Sequence, residues 1–489
     1  MATEQRRERP DDYFADWKER EALAEGIIPL VGQLYRQNNV KTFIYGRSLV
    51  GRSVTNIMKT HRFVRQVEKN EMSEFETFPL LQALVELSPG PAHIDIGILT
   101  AEYMSEGNGK SPKEFLKRKL KDILSNTEHP LRQPQDVVLF GFGRIGRLMA
   151  RLLVEKVGGG DSLRLRAIVV RKGGDDDLIK RASLLRRDSV HGSFEGTIRV
   201  DEERQSFVAN GNEIKVIYAS SPDEIDYTQY GIKDAIIVDN TGKWRDDEAL
   251  GLHLKSKGVK SVILTAPAKG NVPNIVYGIN NDILGPDDRI VSAASCTTNA
   301  IVPPLKALND KFQVLNGHVE TVHAYTNDQN LIDNYHKGNR RGRSAPLNMV
   351  LTETGAVKAV AKVLPEMAGK LTGNAIRVPT PNVSMAILNL TLAAETTVEE
   401  INEYMRDVAL HGDLRRQIDF TASPEVVSTD FVGSRYACIF DAQATIVNGN
   451  HVVLYFWYDN EFGYTCQVNR VVEQMAGVNY VSYPSVATA

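Results

Sequence analysis

Cysteine is scarce: three in 489 residues, at positions 296, 438 and 466. Thiols so few and so far apart make neither a disulfide framework nor a zinc cluster. They read as free thiols in a reducing, cytoplasmic setting, and no metal site is expected. An excess of either charge is also lacking. The 58 basic and 61 acidic side chains leave a formal net charge of -3, so neither nucleic acid nor a membrane surface is an expected partner. No apolar run approaches the length that spans a bilayer. The charged N-terminus, from Glu4 to Asp12, has no apolar core behind it and does not read as a secretory signal. Internal repeats and long low-complexity tracts are absent. What remains is an ordinary globular balance of 42% hydrophobic and 24% charged residues, long enough for two or three domains.

The pattern along the chain changes twice. Residues 1–133 read as a mainly helical extension. Leu80, Leu81, Leu84, Val85 and Leu87 fall mostly on one helical face, after strand-like or loop residues around Thr77. Ser111, Pro112 and Glu114 form a helix start, with Phe115, Leu116, Leu120, Ile123 and Leu124 as its apolar stripe. From residue 134 to 295, short apolar runs at 137–140, 165–170, 235–238, 261–264 and 290–292 alternate with helical material. That is the pattern of a parallel α/β sheet. Residues 296–462 carry longer strand-like stretches and a hairpin signal at Asn448, Gly449 and Asn450, which suggests a mixed or antiparallel sheet with helices. Residues 463–480 are expected to form a closing helix.

Gly141-Phe142-Gly143-Arg144-Ile145-Gly146 follows the first apolar run and opens a helical stretch from Arg147 to Val157. In that context the glycines permit a tight turn and let the backbone approach a pyrophosphate at a helix N-terminus. An NAD site usually has an acid at the end of the second strand. Here Arg171 and Lys172 stand there. They can meet a 2′-phosphate, which would admit NADP, or be solvated cations beside Asp175, Asp176 and Asp177. The choice between NAD and NADP stays open.

Ser295-Cys296-Thr297-Thr298-Asn299 joins a strand to a helix that continues through Ile301, Leu305 and Leu308. A Cys in the first helical turn is favoured as a thiolate, and the free N–H groups there can hold an oxyanion. Attack on an aldehyde would give a thiohemiacetal, and hydride loss a thioester. His323 ends the next strand-like stretch and is placed to act as the base. Taken alone, Cys296 also reads as a small buried hydrophobe and His323 as a structural histidine.

These motifs together resemble the glyceraldehyde-3-phosphate dehydrogenase family from about Gln135 to Val478. The resemblance rests on the Gly141 loop, the Cys296 motif, and Val322 with the following His323, Ala324, Tyr325 and Thr326. It also rests on Thr352-Glu353-Thr354-Gly355-Ala356, Arg377-Val378-Pro379-Thr380-Pro381-Asn382, and Trp457 through Tyr464. It implies a long form of that enzyme, a Rossmann-type dinucleotide-binding domain plus an α+β catalytic domain, behind an extra N-terminal domain. It implies Cys296 as nucleophile and His323 as base. Thr326 and Arg377 would hold the substrate phosphate. Ser295, Thr297, Thr354 and Gly355 would line the site for substrate and inorganic phosphate. Asn460 would bond the nicotinamide carboxamide, Arg144 and Ile145 would face the pyrophosphate, and Thr241-Gly242 would lie under the adenosine side. The implied reaction is phosphorylating oxidation of glyceraldehyde 3-phosphate, or its reverse, in a homotetramer.

Two departures stand out. Arg171-Lys172 replace the Asn-Asp usual in NAD-dependent members, and Asn334-Tyr335 stand where many have Leu-Pro. Residues 1–130 have no counterpart in the usual enzyme, and deleting them is expected to leave a folded, active dehydrogenase. Erythrose 4-phosphate as substrate, and a regulatory or scaffold protein on a dehydrogenase frame, are the competing readings.

Overall fold

The structure is a computed structural model that describes residues 10–67, 72–107, 109–126, 131, 133–155, 163–285 and 287–485. Its centre is an eight-stranded sheet. Gln135–Phe140, Leu163–Val170 and Asn212–Tyr218 run outward to one side, all parallel. Ala235–Asp239, Val259–Leu264 and Ile290–Ser292 run parallel to them on the other side. Ser206–Ala209 and Ile198–Asp201 add an antiparallel edge. Ala235–Asp239 is buried along its whole length, as a strand covered on both faces must be. The strand order reverses direction between Gln135–Phe140 and Ala235–Asp239, and that crevice is where a dinucleotide fits.

Ile290–Ser292 leads into the helix Cys296–Phe312, which opens the second unit. Its sheet is mixed. Val314–Ala324 pairs parallel with Leu371–Val378 and antiparallel with Ser384–Leu392. Ser384–Leu392 in turn pairs with His451–Tyr458. The expected hairpin forms between Ile446–Asn448 and His451–Tyr458, with Gly449 at φ 63°. The closing helix, Phe462–Met475, packs back on the dinucleotide-binding unit through Val468, Val471 and Val472.

The N-terminal region is helical as expected, but it also contains a sheet that the sequence pattern did not reveal. Its helices include Tyr13–Asn38, Val54–Val67, Glu74–Leu87 and Ile96–Glu106. Thr77, read as strand or loop, is helical. Ser73 caps that helix and Glu76 bonds back to it, and this reciprocal cap outweighs one β-branched residue. The start at Ser111 has the same box with Glu114. The sheet joins Arg47–Ser48, Val40–Ile44 and Ala92–Asp95 to Val481–Tyr483 from the far end of the chain.

That last strand lies beyond the closing segment expected at 463–480, and it ties the C-terminus into the N-terminal region. Polar contacts reinforce it. Asn39 donates to Tyr480 Oη at 3.0 Å, Tyr483 Oη donates to Glu102 at 2.6 Å, and Arg416 donates to His93 Nδ1 at 2.8 Å. Arg47 pairs with Asp419 at 3.4 Å. One apolar core runs through Ile27, Leu84 and Phe115 into Leu305, Leu388 and Phe456. Removing the extension would expose that core, which argues against the expectation that it is dispensable.

Candidate active site

Four loops leave the strand ends around the crevice. The Gly141 loop turns at φ 93°. A Cβ on Gly141 would meet Thr241 Cγ2 at 2.9 Å, and one on Gly146 would strike the Gly141 carbonyl at 2.4 Å. The first and third glycines are therefore required by packing. Above Gly143 there is nothing within 4 Å, so the backbone lies open to a ligand. This is the division of labour a pyrophosphate-binding turn needs, and the residues fit a dinucleotide. The helix begins at Arg144 and runs to Glu155, so the amides of Arg144 and Ile145 belong to its first turn, where N–H groups lack helical partners. Residues 156–157, the end of the expected helix, lie outside the described residues. The Arg144 guanidinium is engaged by Glu461 and Asp188, and His191 Nε2 also meets Glu461 at 3.0 Å. What Arg144 offers a pyrophosphate is its backbone.

Thr241 and Gly242 form the opposing turn. Thr241 donates through N–H and hydroxyl to Asp239, at 2.8 and 2.6 Å, and buried His253 supports that carboxylate at 3.0 Å. Arg171 and Lys172 are exposed at the end of the second strand. Two of the nearby acids have other partners: Asp176 pairs with Lys180 and Asp177 with Arg181.

Cys296 is the first residue of its helix, and Ser295 caps it by accepting from Thr298 N–H at 3.0 Å. Ala294 just before it sits at φ 55°, a strained conformation for a residue with a side chain. Tyr464 Oη holds the Ala294 carbonyl at 2.9 Å, and Asn299 bonds the Ala293 and Ser295 carbonyls. The turn thereby aims Cys296 at His323, with Sγ 3.6 Å from Nε2. His323 is buried near the end of Val314–Ala324, and the parallel register sets Arg377 directly beside it.

The electrostatics differ from the expectation of a ready thiolate. Burial pushes the Cys296 thiol up, and the opposing pull of Arg377 and Thr297 does not overcome it. Burial, then Arg377, pushes His323 down to about 3. Burial thus favours the neutral form of each group, and their contact sets the pair for proton transfer.

Arg377 donates to the Ala324 carbonyl at 3.0 Å, and its Nε is buried with no partner. An unpaired guanidinium N–H beside a nucleophile fits an incoming phosphate. Thr326 and Thr354 are half-buried, and Gly355 is exposed with open space where a Cβ would stand. Thr354 Oγ1 accepts from Ala356 N–H at 3.1 Å, at the start of Ala356–Val363. Asn460 is buried, and its Oδ1 accepts from Ser384 Oγ at 2.9 Å, which orients the amide.

Several contributors had no role in the sequence reading. Tyr458 Oη lies 3.1 Å from Thr297 Oγ1 and 2.7 Å from Thr321 Oγ1, and its ring stands edge-on to His323. Asp459 accepts from Gly433, Glu461 and Phe462 N–H groups and so fixes the loop carrying Asn460. Tyr458, Asp459 and Tyr464 lie inside a recognised motif; Thr321 gave no signal of its own. Among the described residues there is no group of His, Cys, Asp or Glu able to hold a metal ion, and no helix long and apolar enough to cross a membrane.

Comparison with known proteins gives two family matches. Residues 135–247 match the glyceraldehyde 3-phosphate dehydrogenase NAD binding domain, and 295–460 match its C-terminal domain. A "glyceraldehyde-3-phosphate dehydrogenase-like protein" of Pseudomonas aeruginosa is 65% identical over 460 residues, 94% of this chain and 100% of the relative. That alignment must include most of the N-terminal region. The plasmid glyceraldehyde-3-phosphate dehydrogenase of Cupriavidus necator is 40% identical over 338 residues, 69% of this chain and 96% of its own. The Clostridium pasteurianum glyceraldehyde-3-phosphate dehydrogenase is 39% identical over 348 residues, 70% of this chain and 98% of its own.

Proposed function

The chain belongs to the glyceraldehyde-3-phosphate dehydrogenase family, and from that premise we propose that it oxidises glyceraldehyde 3-phosphate to 1,3-bisphosphoglycerate, or runs the reverse, through a thioester on Cys296. The observation that carries the proposal is the convergence of Cys296, His323 and Arg377, with Sγ 3.6 Å from Nε2 and the Arg377 Nε unpaired. A nicotinamide cofactor, when bound in the crevice, supplies the hydride acceptor.

Each residue then has one task. His323 Nε2 takes the thiol proton as Sγ attacks the aldehyde, returns it to the oxyanion to give the hemiacetal hydroxyl, and takes it back as the carbonyl of the thioester forms. The amides at the start of Cys296–Phe312 hold the developing oxyanion. Arg377 and Thr326 bind the substrate phosphate. Ser295, Thr297, Thr354 and Gly355 form the site from which inorganic phosphate attacks the thioester. Asn460 orients the nicotinamide carboxamide.

Arg171 and Lys172, exposed while Asp176 and Asp177 pair elsewhere, suit a 2′-phosphate, so the proposal includes turnover with NADP as well as NAD. Leu331, Ile332, Tyr335, Leu347 and Met349 are exposed apolar residues on one stretch of chain, in keeping with burial against a second copy. Steady-state kinetics with both cofactors, with and without phosphate, test the reading. Phosphate-dependent formation of reduced cofactor is expected. Equal turnover without phosphate or arsenate would refute it, and faster turnover of erythrose 4-phosphate would reassign the substrate.

A further inference from the structure

The N-terminal region meets the dehydrogenase body at a turn that is held in shape from behind. Tyr45 and Gly46 join Val40–Ile44 to Arg47–Ser48, and both have positive φ, 44° and 76°. Two such residues in a row make the tight hairpin turn that follows the twist of its strands. A tyrosine is strained there, and Asp95 holds it in place. The Asp95 carboxylate accepts from Tyr45 N–H at 3.0 Å, from Gly46 N–H at 2.8 Å and from Ile98 N–H at 3.1 Å. The tip of the turn rests on the body. A Cβ on Gly46 would meet Tyr436 Oη at 2.5 Å, and Arg47 next to it pairs with Asp419 at 3.4 Å.

Tyr436 belongs to residues 433–436, and that short segment reaches the dinucleotide crevice in two directions. Gly433 N–H donates to Asp459 Oδ2 at 2.8 Å, and Asp459 Oδ1 accepts from Glu461 and Phe462 N–H groups on the loop that carries Asn460. Arg435 donates to both carboxylate oxygens of Glu155, at 2.6 and 2.7 Å. Glu155 ends the helix Arg144–Glu155, which the Gly141 loop opens. The segment is also pressed against the closing helix. A Cβ on Gly463 would strike the Tyr436 carbonyl at 2.7 Å, and Gln467 Nε2 donates to the Arg435 carbonyl at 3.1 Å.

We propose that the turn at Tyr45, Gly46 and Arg47 is a positioning element of the cofactor site, acting through residues 433–436 on the Asn460 loop and on the Arg144–Glu155 helix. The inference rests on the proposed dinucleotide site and adds the N-terminal region to what shapes it. The thiol is held along a different path. Cys296 is aimed by the Ser295 cap and by Asn299, and His323 by the register of Val314–Ala324, through hydrogen bonds that do not involve residues 433–436. The turn therefore bears on cofactor affinity and leaves the nucleophile alone.

The test uses the full-length protein and two measurements. One is fluorescence titration with NADH and with NADPH; the other is the rate of Cys296 alkylation by iodoacetamide without cofactor. Gly46→Ala sets a methyl group against the Tyr436 hydroxyl. It is expected to raise the dissociation constant of the tighter cofactor about fivefold, with the alkylation rate unchanged. Adding Tyr436→Phe removes the hydroxyl that the methyl meets and is expected to restore most of the affinity. The backbone strain of alanine at this φ persists in the double variant, so the rescue isolates the contact. Arg435→Gln cuts the link to Glu155 at the surface and is expected to weaken binding as well; it decides the matter if Gly46→Ala does not fold. Wild-type affinity in folded Gly46→Ala, or in Arg435→Gln, would overturn the inference. So would a joint loss of affinity and alkylation that Tyr436→Phe does not restore, which is the mark of a purely structural contact. A wild-type protein that binds neither cofactor would overturn the dinucleotide reading itself.

Discussion

The dehydrogenase body and the N-terminal region both bury polar side chains, but they use them differently. In the body, Cys296, His323, Arg377, Tyr458, Thr297 and Thr321 converge, and Arg377 keeps a donor unpaired. In the N-terminal region, buried His61 bonds Thr77 at 2.7 Å and the Ile57 carbonyl at 2.9 Å, and Arg20 pairs with buried Glu74 at 2.7 Å. Buried Asp95 accepts from Tyr45, Gly46 and Ile98 N–H groups. One set gathers a thiol, an imidazole and a guanidinium with a donor left over; the other joins groups of the extension to one another. The lesson is that a leftover donor points to chemistry only in company: Arg377 Nε lies beside a thiol and an imidazole, whereas the unpaired Arg47 Nε of the N-terminal region has neither at hand.

The sharpest way to break this comparison is to remove one element from each side. Cys296→Ala is expected to lower kcat by on the order of 10⁴-fold or more with the fold intact. Substituting the buried thiols Cys438 or Cys466 by Ser should leave the reaction chemistry in place. Truncation of residues 1–133 is expected to give insoluble protein or a chain without a cooperative melt, because it opens the shared core and strands Val481–Tyr483. A soluble, active truncation would show that the extension is a separate body. His323→Asn should cost about 10²–10⁴-fold in kcat with little change in the aldehyde KM.

Smaller effects sharpen the same contrast. Glu74→Ala leaves Arg20 without its partner and is expected to cost about 3 kcal/mol of stability, with kcat unchanged at 25 °C. Calorimetry and kinetics on one preparation would check both halves. The smallest effect is in acid. His323 has an ordinary value of 6.5 and is held down to about 3 in the folded protein. Between these values the unfolded chain binds the extra proton. The stability from keeping His323 neutral is therefore full above the upper value and is lost as pH falls toward the lower one. At pH 5.5 the loss should be about 1 kcal/mol, and His323→Asn should lack this component in denaturant titrations.

How much of this was legible in the sequence varies with how local the cause is. The Gly141 turn was legible because its glycines answer a local backbone demand. So was the Ser111 cap, whose partners are three residues apart. The position of Cys296 at a helix start was legible; its raised thiol was not, because desolvation depends on everything packed around it. Tyr458 and Thr321 meet only through the register of three strands, and nothing local encodes that. The N-terminal sheet was hidden for the same reason, since Ala92 pairs with Val481. Thr77 is helical because the Ser73–Glu76 cap lies ahead of it, a reciprocal pair that the residues around Thr77 do not reveal by themselves.

The central claim is that Cys296 carries the acyl group. Mixing the protein with glyceraldehyde 3-phosphate and oxidised cofactor, without phosphate, and reading the Cys296 peptide by mass spectrometry tests it most directly. An acyl adduct on Cys296, formed in step with a burst of reduced cofactor and discharged when phosphate is added, is the expected result. Turnover with Cys296 unmodified, or an adduct on another residue that phosphate discharges, would contradict it.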